Sequence, residues 1–129
     1  MEDFNLILKN LISRDIEDVN INYLTLEIKN GFEKTADSYV KNKNYLDAIK
    51  VFKIIDNKEK LNEVGNICFF EGRLYDSFYA FYYSDNKEKL NKIGEELLKI
   101  PDVENALKCF RKSENNSMVE FIEKNLAVK

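Results

Sequence analysis

The heptapeptide DNKEKLN stands at positions 56–62 and again at 85–91, an offset of 29 residues. A repeat of that length constrains the fold more than any other feature of the chain, because each copy must be one structural unit that buries its apolar side on the next. Sliding the sequence by the same offset aligns the rest without a gap. Ala36, Gly65 and Gly94 share a column, as do Tyr39, Cys68 and Leu97. Tyr45, Leu74 and Val103 share another, then Ala48, Ser77 and Ala106, then Phe52, Phe81 and Phe110. One step back, Ile16, Val19 and Tyr23 fall in the last three of these columns. One step forward leaves 119–126 as a half-unit.

Each unit reads as two helices, A and B. Leu61, Val64 and Cys68 lie at i, i+3 and i+7 and mark one face of a helix A. Glu71-Gly72-Arg73 breaks it, with Gly72 suited to a left-handed turn. Leu74, Ser77/Phe78 and Phe81 then mark a helix B. The aromatic run LYDSFYAFYY is therefore helical, since its spacing recurs in two sister segments that read as ordinary amphipathic helices. Asp56 with Glu59, Asp85 with Glu88 and Ser117 with Glu120 are expected to open helices as capping boxes. Asp102, after Pro101, is expected to cap the third helix B. The small column Ala36/Gly65/Gly94 implies close crossing of A on B, opposite Ala48, Ser77 and Ala106. Glycine inside a helix costs roughly 1 kcal/mol against alanine, so two in register indicate a packing requirement.

Composition agrees with a helical domain. Only 4 glycines and 1 proline occur in 129 residues, which disfavours a turn-rich β-sandwich. Hydrophobic residues are 44% and charged ones 33%, a globular balance. A net charge of −3 offers a polyanion no long-range attraction, so no nucleic-acid partner is expected. With no histidine and no C-x-x-C, metal ligation and a cofactor are not expected; Cys68 and Cys109 read as reduced core residues. The acidic start MEDFNLILKNLISRDIED lacks signal-peptide character, and no stretch reaches the roughly 20 apolar residues of a membrane span. The expected location is the cytoplasm.

The columns in ADSYVKNKNYLDAIKVF (Ala36, Tyr39, Tyr45, Ala48, Phe52) resemble the tetratricopeptide (TPR) repeat. The second unit carries the resemblance through Gly65, Gly72, Ser77 and Phe81, and the third through Gly94, Ala106 and Phe110. The period is 29 residues against the family's 34, and the residues absent fall at the B-to-A connection, with the family's proline. Phe32, Leu61 and Leu90 stand where the family often has tryptophan. Clathrin-type and other αα repeats fit the same pattern. The resemblance implies a right-handed α-solenoid of stacked antiparallel hairpins, about nine helices in all. One domain, 1–129, is expected to comprise a degenerate N-terminal hairpin (1–30), repeats 31–57, 58–86 and 87–116, and a C-terminal capping helix (117–129).

Two surfaces emerge as candidates for a partner. The resemblance implies a peptide-binding helix-A face through Asn62, Asn66 and Phe70, then Asn91, Glu95 and Lys99. The second is a tyrosine patch on helix B, Tyr79, Tyr82 and Tyr83. At those columns the sister repeats carry Lys50, Lys53 and Ile54, and Lys108, Arg111 and Lys112, so the fold itself does not demand aromatics there. A terminal segment folding back over the patch would explain it as well. Catalysis is not expected, because acid–base chemistry near neutral pH would have to use a perturbed carboxylate, lysine or thiol, and no nucleotide-binding motif or nucleophile elbow occurs. The expected function is a protein-interaction or scaffold module. The alternatives are a homodimer joined through the tyrosines and, further off, an RNA-binding repeat.

Overall fold

The computed structural model of the protein describes residues 2–18 and 25–126. Among these the chain is all-α, without a strand, and neighbouring helices pack on one another. The elements are α1 (Glu2–Ile12), a 3-10 turn (Ile16–Asp18), α2 (Leu26–Lys41), α3 (Tyr45–Ile54), α4 (Lys58–Phe70), α5 (Leu74–Tyr83), α6 (Lys87–Lys99), α7 (Val103–Lys112) and α8 (Asn116–Asn125). The closest packing is within the pairs α4/α5, α6/α7 and α2/α3, which are the A/B hairpins of the three repeats. Each B helix also touches the next B, α3 on α5 and α5 on α7. This arrangement is compatible with a helical repeat.

Eight α-helices lie among the described residues where about nine were expected over the whole chain. Of the columns assigned to an opening hairpin, Ile16 sits in the 3-10 turn, while Val19 and Tyr23 lie outside the described residues. Helix α2 begins at Leu26, about a turn before the expected boundary at 31, because Thr25 caps it by accepting from Ile28 N at 3.2 Å.

The repeat is written most clearly in its turns. Lys43, Asp56, Gly72, Asp85 and Glu114 all have φ between 54° and 78°, the left-handed residue that ends a helix. After each, the chain closes on the helix it has left: Asn44 N to Tyr39 O (2.8 Å), Arg73 N to Cys68 O (2.8 Å), Asn115 N to Phe110 O (2.8 Å). Asp56 and Asp85 are thus occupied in finishing α3 and α5. The N-caps fall one residue later than expected, on Asn57 and Asn86, which accept from Lys60 N and Lys89 N, both at 3.1 Å. Asn115, not Ser117, caps α8. Asp102 caps α7 as its position after Pro101 implies.

Gly65 and Gly94 do mark the close crossing of A on B, but not against the small column of B. A Cβ on Gly65 would lie 2.7 Å from the Phe81 ring, and one on Gly94 the same distance from Phe110. The glycines are sockets for the phenylalanine of their own hairpin. Phe52, Phe81 and Phe110 are completely buried, with Ala36 in the first repeat where the others have glycine. Cys68 and Cys109 share this core, and burial pushes both thiols up to about 12. In α8 the socket column holds Glu123, exposed and paired with Arg111 at 3.5 Å. A carboxylate there replaces the small residue that seats the phenylalanine in the other repeats.

Lysine and acid pair across repeats as well as along helices. Lys58 meets Asp85 and Lys87 meets Glu114, both at 2.8 Å, while Lys112 reaches Asp85 at 2.9 Å. These pairs are well exposed, and water and salt screen them.

Candidate functional site

Asn62 and Asn91, expected on a partner-binding face, join rungs of the stack. The Asn62 Oδ1 accepts from Ser84 Oγ (2.8 Å) and from Asn86 Nδ2 (3.0 Å), and Asn86 is the cap of the next helix A. Asn91 repeats the arrangement with Ser113 (2.8 Å) and Asn115 (3.0 Å). In the first repeat Asn57 Nδ2 donates to Glu33 Oε1 at 2.7 Å, and Ile55 replaces the serine. These side-chain oxygens are committed within the protein. Their role is to lock one helix A to the next.

The tyrosines expected as a patch on helix B are half-buried. Tyr83 packs on the first apolar cluster, Tyr82 on the second and Tyr79 on both. Lys53 Nζ sits 4.3 Å from the Tyr83 ring centre and Lys112 Nζ 4.9 Å from that of Tyr82, a cation on each ring from the flanking B helices. Lys53 also donates to Ile16 O at 2.6 Å, and Lys50 to Ile12 O at 2.9 Å. Lys50 and Lys53 are therefore not simply solvated: they hold the N-terminal segment across helix B, and Ile54 is buried. Glu17, at the end of that segment, lines a cleft of about 180 Å³ with Phe78, the three tyrosines, Asn105 and Lys108.

Burial, then the nearby Glu17 carboxylate, pushes the Tyr83 phenol up to about 12. A folded-state value above the ordinary one near 10 favours the protonated phenol in the native protein. Its stabilisation is complete below pH about 10 and is lost as pH climbs through about 12. Urea midpoints measured from pH 9 to 12 should fall, and Tyr83→Phe should flatten part of that fall. The two buried thiols and the phenols of Tyr39, Tyr45, Tyr75 and Tyr79, all held above their usual values, contribute to the rest.

Asn66, Phe70, Glu95 and Lys99, the other helix-A candidates, are exposed. Phe70, the last residue of α4, is 91% accessible, the most exposed large apolar side chain described. Its column equivalents Lys41 and Lys99 are both solvated, so nothing in the packing of the repeats asks for an aromatic ring here. Ile67 lies one turn back on the same face and is also exposed. Beside them, Phe69, Gly72, Leu74 and Glu96 line an open cleft of about 290 Å³ between the α4–α5 turn and α6. Phe69 and Leu74 form its apolar wall from half-buried positions, and Glu96, bonded to Lys99 at 3.2 Å, is its one charged lining residue.

The same edge of the stack carries Leu46, Tyr75 and Ile100, all exposed and all within two residues of an A-to-B turn. Two bonds join these turns into a continuous rim: Tyr45 Oη to Glu71 Oε2 (2.7 Å) and Tyr75 Oη to Asp102 Oδ2 (2.6 Å). Sequence reasoning passed over Leu46, Tyr75, Ile100 and Glu96. Phe70, named there through the resemblance, also stands out by its column, as one aromatic between two lysines. The chain matches no protein-family model, no curated protein and no solved structure. Among the described residues no cluster of His, Cys, Asp or Glu is arranged to hold a metal, and no helix is long and apolar enough to cross a membrane.

Proposed function

We propose that this chain is a TPR-like right-handed α-solenoid that serves as a non-catalytic binding module, and that it engages a protein or peptide through the α4–α6 surface around Phe70. The observation that carries the reading is the exposure of Phe70 itself. An aromatic ring left in water costs solubility and gives nothing to the core, and aromatic side chains are the commonest anchors of protein interfaces. The cleft beside it adds a concave receptor for one partner side chain. Deep burial of both thiols supports a role without nucleophilic chemistry. The tyrosine face is the weaker candidate, since its rings are already engaged by Lys53, Lys112 and the N-terminal segment.

Phe70→Ser should leave stability within about 0.5 kcal/mol, because the ring touches little. It should loosen a partner bound at this surface about tenfold or more. A photoreactive residue at position 70 should crosslink the partner, while the same group at Lys58, on the opposite edge, should not. Partner binding that ignores Phe70→Ser would refute the assignment.

A further inference from the structure

We infer that the occupant of the α4–α6 surface is a short segment of another protein bearing a large apolar side chain next to a lysine or arginine. The inference rests on the reading of this surface as a partner site and adds the chemistry of the partner. The apolar requirement comes from the cleft: Phe69 and Leu74 offer carbon walls, Gly72 leaves the floor open, and about 290 Å³ admits a leucine- or phenylalanine-sized group. Phe70 and Ile67 extend the same apolar surface outward.

The basic requirement comes from Glu96. Its side chain is 34% accessible, set against apolar walls, and its only described ion partner is Lys99, itself 70% accessible. An i,i+3 pair of that kind is weak and exchangeable. An incoming ammonium or guanidinium, delivered to Glu96 as the cleft loses water, meets the carboxylate in a drier setting than Lys99 does. Glu95 and Lys92, exposed on the same helix, carry opposite charges, and Glu96 is the one charged side chain that lines the cleft. A second copy of this chain is the competing occupant, and the oligomeric state distinguishes it.

The test is selection of short random peptides displayed on phage against the intact protein, followed by titration of a labelled selected peptide. The selected sequences should share a large apolar residue with Lys or Arg within about two positions, and binding should weaken several-fold as salt rises. Glu96→Gln should loosen the peptide about five- to tenfold, and Lys99→Ala should leave it unchanged or tighten it. Acidic residues beside the apolar one, with loosening by Lys99→Ala, overturn the inference while leaving the surface in place. So does a Phe70-dependent peptide indifferent to Glu96→Gln. Failure to select any peptide, or peptides that bind Phe70→Ser equally, refutes the surface itself. A wild-type dimer in sedimentation that Phe70→Ser dissolves would replace the foreign segment with a second copy.

Discussion

Gly94→Val is expected to destabilise the protein by about 3 kcal/mol, the upper range for overpacking a filled core. The first added carbon would already lie 2.7 Å from the Phe110 ring, and valine brings two more. The ring is fully buried and can retreat only by pushing α7 away from α6. Gly94→Ala separates the two opposing effects. Alanine gains up to roughly 1 kcal/mol of helix propensity, and Ala36 in the first repeat shows that the hairpin tolerates one methyl beside Phe52. The alanine variant should therefore stay within about 1 kcal/mol of wild type. Shrinking the ring should rescue the larger change: Gly94→Val with Phe110→Leu should be more stable than the two single losses imply, by about 1 kcal/mol or more. Urea unfolding measures all four proteins. A neutral Gly94→Val would mean that the socket does not set the spacing of A and B.

The second large effect lies between repeats. Asn91→Ala removes the acceptor of both Ser113 Oγ and Asn115 Nδ2, and the expected loss is about 2 kcal/mol. Because Asn115 also caps α8, the damage should concentrate there. Amide exchange of α8 should accelerate about tenfold or more while α4 and α5 keep their protection. Asn91→Asp restores an acceptor, and Glu33 shows that a carboxylate serves in this column, so that variant should recover most of the loss. Uniform loss of protection along the chain would argue that the asparagine does not act as a local fastener.

The asparagines show how much of the architecture was legible and where the reading stopped. DN at 56–57 and 85–86 announces a turn followed by a helix, and that proved correct in kind. Which residue ends one helix and which begins the next depends on backbone angles: Asp56 and Asp85 adopt the left-handed conformation, leaving the cap to Asn57 and Asn86. The second asparagine of each motif, at 62 and 91, has the polar and regular look of a contact residue. Its partners lie 22 and 24 residues ahead in the chain, and only the stacking of consecutive hairpins brings them to it.

The tyrosines and Phe70 divide on the same ground. In both cases the sister repeats carry mostly basic residues in the same columns, with Ile54 the exception opposite Tyr83. For Phe70 the comparison holds, since Lys41 and Lys99 are in solvent. For Tyr79, Tyr82 and Tyr83 it fails, since Lys50 and Lys53 are bonded to carbonyls of the N-terminal segment.

The helices, their pairing into hairpins and the need for a close crossing at Gly65 and Gly94 were legible in the sequence alone; that the glycines seat Phe81 and Phe110 was not. Each of the legible features is set by chemistry within a few residues, and a repeat states that chemistry more than once. Which outward-facing side chains remain free was decided only in the folded molecule. Burial there depends on a segment that crosses helix B from outside the repeating pattern, and no column of that pattern records its course.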